Sequence, residues 1–87
     1  MPDKKLKQIG KISHYYGNIK VAVIELISSL KVGDVIRIIG GEDTDFNQDV
    51  KSIEVDYKKI EKAKKGDLVG LKIKKKVREG YLVYKSN

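Results

Sequence analysis

The chain has 87 residues, with 19 basic and 12 acidic side chains, one histidine and no cysteine. A chain this short supports one domain hiding roughly 60–65% of its unfolded surface, and the lack of cysteine excludes disulfides and thiolate metal sites. Residues 1–50 hold seven basic and seven acidic side chains, whereas residues 51–87 hold twelve against five, so the whole net charge of +7 sits in the second part.

In chain order, residues 1–8 read as a flexible basic N-terminus and residues 9–87 as a single β domain. The opening Met1-Pro2-Asp3-Lys4-Lys5-Leu6-Lys7 has no apolar stretch behind its lysines, which excludes a signal peptide. The longest apolar run, Val21-Ala22-Val23-Ile24, falls far short of a membrane span. A cytoplasmic protein without a membrane partner is the expectation. His14-Tyr15-Tyr16 follows, before the turn residues Gly17-Asn18. Two-residue alternation from Ile12 sends Tyr16 inward and Tyr15 outward. An outward Tyr15 beside lysines suits stacking on unpaired bases.

Residues 21–27 form a β-branched run and read as a strand, as do Val35-Ile36-Arg37-Ile38-Ile39 between Gly33-Asp34 and Gly40-Gly41. The segment 43–54 places oxygen-bearing side chains at positions 1, 3, 5 and 12 of a calcium loop. Gln48 stands where the sharp turn needs glycine, and neither flank is helical, so it reads as an acidic loop running into a strand. No metal is expected there. Ile53, Val55 and Tyr57 alternate with polar residues, as Leu71 and Ile73 do with Lys72 and Lys74. Residues 58–65 read as one helical turn or a loop. Gly66-Asp67 opens a strand at Leu68, and Arg78-Glu79-Gly80 turns the chain into a last strand, Tyr81-Leu82-Val83-Tyr84.

The sum is all-β: six or seven short strands separated by glycine turns, with one proline and no long helix. A small closed barrel is favoured over a sandwich, because lysine-tipped edges alone protect poorly against pairing with neighbours. Catalytic machinery is not expected. His14 stands alone, and none of Ser13, Ser28, Ser29, Ser52 or Ser86 lies in a nucleophile elbow. No glycine-rich phosphate loop is present, so neither nucleotide nor other cofactor is expected. The charge concentrates at Lys72, Lys74, Lys75, Lys76 and Arg78. With Tyr15 these are the candidate nucleic-acid-binding residues, against the plainer alternative of a solvated lysine face.

Four segments carry a resemblance. Leu30-Lys31-Val32-Gly33-Asp34-Val35-Ile36-Arg37-Ile38 is similar to the turn and strand of domain 2 in translational GTPases such as elongation factor Tu. Val50-Lys51-Ser52-Ile53-Glu54-Val55, the run from Glu61 through Gly66-Asp67 to Leu71, and Val77-Arg78-Glu79-Gly80 resemble later pieces of that domain in the same order. The resemblance covers roughly residues 9–84 and implies a Greek-key barrel acting as a free-standing translation module, in contact with RNA or the ribosome. The family's GTPase domain and its Gly-Arg pair have no counterpart in these residues, so nucleotide hydrolysis and aminoacyl-tRNA contacts are not implied. The competing reading is a protein-interaction or accessory domain serving a separately encoded enzyme.

Overall fold

The computed structural model describes residues 7–56 and 58–85. They form ten strands: β1 (Lys7–Tyr16), β2 (Val21–Leu26), β3 (Leu30–Lys31), β4 (Val35–Gly40), β5 (Thr44–Asp49), β6 (Ile53–Val55), β7 (Lys58–Ile60), β8 (Lys62–Ala63), β9 (Leu68–Lys72) and β10 (Leu82–Lys85). No helix occurs among the described residues. Eight strands make one antiparallel sheet in the order β5-β4-β10-β1-β2-β9-β6-β7, and β3 pairs with β8 alone.

Alternation explains which side chains enter the core. Ala22, Ile24 and Leu26 of β2, Ile36 and Ile38 of β4, and Val69 and Leu71 of β9 all point to one face, and that face is dry. They join Ile9, Ile12, Leu30, Ile53, Ile73, Val77 and Val83 in a single apolar cluster. One shared cluster requires the sheet to roll around its own inner face. The long central strand β1 supplies much of the bend. Its register with β10 shifts between Gln8 and Gly10, and its register with β2 shifts between Ile12 and His14. Such bulges kink a strand and increase its twist. At Gly10 the neighbouring backbone comes so close that a Cβ would lie 2.6 Å from the Glu25 carbonyl oxygen.

The rolled sheet does not close, which corrects the expected closed barrel of six to seven strands. Strands β5 and β7 end the order with no ladder between them. Within the order, the ladder is thinnest where β6 meets β9. Only Glu54 and Gly70 pair there, and the chain from 50 to 52 then runs apart from 71 to 74. The expected loop or helical turn at 58–65 is instead β7 and β8, extended by pairing with β6 and β3. Of the expected N-terminal tail, residues 1–6 lie outside the described residues, while Lys7 and Gln8 pair with Lys85 and Tyr84.

Two turns share one device. In Lys31-Val32-Gly33-Asp34, Gly33 sits at φ 100° and the Asp34 N–H donates to the Lys31 carbonyl at 3.1 Å. The Asp34 carboxylate then accepts from the Lys31 N–H at 3.1 Å. Lys64-Lys65-Gly66-Asp67 repeats this, with Gly66 at φ 91°, a 3.1 Å backbone bond and a 3.0 Å carboxylate bond to the Lys64 N–H. The positive φ at the third residue is that of a type II turn, where glycine is unstrained.

Candidate functional site

The predicted basic cluster is exposed throughout, but the fold divides it. Ile73 and Val77 are buried and pin the connection between β9 and β10, so the residues between them reach different surroundings. Lys72 and Lys74 turn to a cleft of about 320 Å³ that also collects Lys20 and Lys51 from elsewhere in the chain. Lys75 leaves that group and holds its ammonium 5.5 Å from the centre of the Phe46 ring. Arg78 borders a separate hollow with Tyr15, Val77 and Glu79, and Lys76 is exposed on the connection itself.

Tyr15 and Tyr16 are reversed relative to expectation. The bulge after Ile12 slips the alternation by one position, so Tyr15 packs against the core and Tyr16 stands 49% exposed. Tyr15 is thus only partly exposed, bordering two shallow hollows. The His14 ring meets Tyr16 edge-on, with centroids 4.4 Å apart and planes at 61°. Its Nδ1 lies 3.0 Å from Glu79 Oε2.

No group of three metal-ligating side chains converges among the described residues. The calcium-like segment runs through β5 into β6, and Asp45, at loop position 3, is committed elsewhere. Arg37 grips Asp45 at two points, Nε to Oδ1 at 2.6 Å and Nη2 to Oδ2 at 2.7 Å. That hydrogen-bonded grip, helped by the guanidinium charge and opposed by slight desolvation, holds the Asp45 carboxyl below its ordinary range.

A second surface was not foreseen. On the outer side of the sheet, Tyr16, Ile19 (59% exposed) and Leu68 (55% exposed) join Val21 and Val23 around one shallow depression, edged by Glu54 and Asp56. Val21 and Val23 are the outward members of β2, where a half-solvated strand would carry polar residues. That departure from alternation was the available signal.

No protein-family model matches the chain. Over 77 residues, 88% of its length, it is 44% identical to an uncharacterized protease of Methanocaldococcus jannaschii, and it spans 19% of that protein's length. Two crystal structures of the C-terminal domain of a Geobacillus thermoleovorans protein assigned to the U32 peptidases share its fold. The selenomethionine form superposes with a TM-score of 0.84 at 18% identity, covering 88% of this chain and 96% of that one. The other form gives 0.85 at 20% identity, covering 91% of each. These relatives overturn the resemblance to translation factors and, with it, the expected elongation-factor-like role in protein biosynthesis. Two of the four motifs that suggested it contain the carboxylate-capped turns described above, Lys31 to Asp34 and Lys64 to Asp67. Any β chain needing that turn selects the same residues.

Proposed function

We propose that this chain is an accessory domain of a U32-type peptidase, without catalytic residues of its own, which seats on the body of the enzyme through the outer face of β2 and β9. The exposed apolar trio of Tyr16, Ile19 and Leu68 carries this reading. Contiguous apolar surface on a small domain marks an interaction site, and scattered single residues do not. Its occupant is argued from length. The Methanocaldococcus jannaschii relative extends far beyond the 19% that this chain matches, and that remainder is the body on which the proposal seats the domain. The edge-on contact of His14 holds Tyr16 in place, which lowers the entropy cost of using it as an anchor.

Full burial of an aliphatic side chain is worth about 1.5–3 kcal/mol, so covering the exposed half of Ile19 or Leu68 gives about 1 kcal/mol each. The test mixes this chain with the Methanocaldococcus jannaschii protein from which the matching segment has been removed, and follows complex formation by analytical ultracentrifugation. A complex is expected. Leu68→Lys should weaken it at least about tenfold, since it removes the contact and strands a charge in the interface. Absence of a complex with the wild-type chain, or unchanged affinity for Leu68→Lys, refutes the reading.

A further inference from the structure

The lysine cleft lies beside the thin ladder between β6 and β9, and its construction is specific. The Glu54–Gly70 pair bounds one end. At the other, the Lys74 N–H donates to Gln48 Oε1 at 2.8 Å and ties the chain after β9 back to β5. Between these points the segments 50–52 and 71–74 run side by side with a gap, over a floor of the buried Val50, Leu71 and Ile73. The Ile73 N–H donates to the Lys20 carbonyl at 2.9 Å, which draws the β1–β2 turn to the rim. Lys20 adopts φ 57°, a conformation that L-residues other than asparagine and aspartate take at some cost. Among the described residues, Lys20, Lys51, Lys72 and Lys74 thus share one hollow in which Asp49 is the single acid.

Four ammonium groups over a low-dielectric floor focus a positive potential and favour an anionic ligand. The shape of the site selects among anions. Among the described residues no aromatic ring lines the cleft, so bases find no stacking partner there. Its two sides come from separate stretches of chain, 48–52 and 71–74, with lysines on both, a hollow suited to an extended acidic segment laid between them. We propose that this cleft binds an extended, carboxylate-rich peptide segment of the substrate that the peptidase acts on. The substrate role rests on the accessory-domain reading above; the peptide site itself does not.

The test uses a fluorescein-labelled peptide of about ten residues alternating glutamate and alanine, read by fluorescence anisotropy at low salt. A glutamine–alanine peptide and an oligouridylate of similar length serve as comparisons. The glutamate peptide is expected to bind, with affinity falling as salt rises, and the glutamine peptide is not. Lys51→Glu with Lys72→Glu should weaken binding at least about tenfold. Lys58→Glu with Lys59→Glu, an equal change of net charge on exposed β7, should change it less than about threefold. Thermal melts establish that each variant folds, and the double alanine substitution at 51 and 72 replaces the glutamate pair if that pair unfolds. Equal weakening by both glutamate pairs, or binding of the oligouridylate alone, overturns the proposal. Intact docking onto the peptidase body with no peptide binding sinks only the cleft, and peptide binding without docking sinks only its substrate role.

Discussion

Asp34 and Asp67 perform the same hydrogen bond in two environments, so comparing them isolates what burial adds. Asp34 is 3% exposed and accepts from the Lys31 N–H, with the Lys85 ammonium 3.5 Å away. Asp67 accepts from the Lys64 N–H at a more solvated turn. Removing a hydrogen bond to a charged group costs about 1.5–3 kcal/mol, towards the top of that range where water cannot replace it. The Lys85 contact adds little, under about 1 kcal/mol, because that side chain still reaches water. Asp34→Ala should therefore destabilise by about 2–3 kcal/mol, and Asp67→Ala by about 1 kcal/mol, since water then solvates the freed N–H. At roughly 4–8 °C per kcal/mol for a domain of this size, Tm should fall by about 8–24 °C and about 4–8 °C respectively. Urea unfolding checks the free energies, and amide exchange at Lys31 and Lys64 reports each turn locally. Asp34→Asn keeps an acceptor oxygen and should fall between wild type and Asp34→Ala. If the two alanine variants agree within about 0.5 kcal/mol, burial is not what strengthens the first turn, and the reasoning fails.

Two further outcomes follow from close contacts. A Cβ on Gly40 would overlap the Tyr81 ring, so Gly40→Ala should destabilise by about 1–3 kcal/mol, with part of the loss recovered in combination with Tyr81→Ala; a double-mutant cycle in urea showing strict additivity would contradict this. Because the Asp45 carboxyl sits below its ordinary range when folded, its contribution is present above the unfolded carboxylate pKa and lost as pH falls through the depressed folded value. Arg37→Gln should return the Asp45 titration, followed by NMR, towards the ordinary range and flatten that part of the stability profile; an unchanged midpoint would show that another group holds it.

Strands that bury a β-branched face were legible: β2, β4 and β9 coincide closely with runs visible in the sequence. The glycine turns were legible too, because positive φ restricts the choice of residue. Strand β5 was not, since Thr44-Asp45-Phe46-Asn47-Gln48-Asp49 turns only Phe46 inward and otherwise looks like an acidic loop. Nor were β7 and β8, which are two or three residues long and lysine-rich. Their extended form comes from the partner strand, and their own propensity argues for nothing. The exchange of Tyr15 and Tyr16 depends on a one-residue bulge that periodicity cannot register. The cleft escaped for a different reason: adjacency in sequence grouped Lys74 with Lys75 and Lys76, whereas the fold groups it with Lys20 and Lys51. Closure is a property of the whole sheet, and here no ladder joins its end strands β5 and β7.

The open order leaves this sheet with two ends of opposite sign. Strand β5 carries Asp45 and Asp49, and β7 carries Lys58 and Lys59. Two copies meeting β5 to β7 would attract, and because the two surfaces differ, the contact would not close on itself but would add copy after copy into a fibre. Three features oppose such growth. Strand β7 offers only three residues of ladder. The tie from Lys74 to Gln48 and the ammonium of Lys75 over Phe46 occupy part of the β5 flank. Lysines on a short edge further discourage pairing. The same residues that give this chain its basic character thus work as a chain terminator against its own polymerisation.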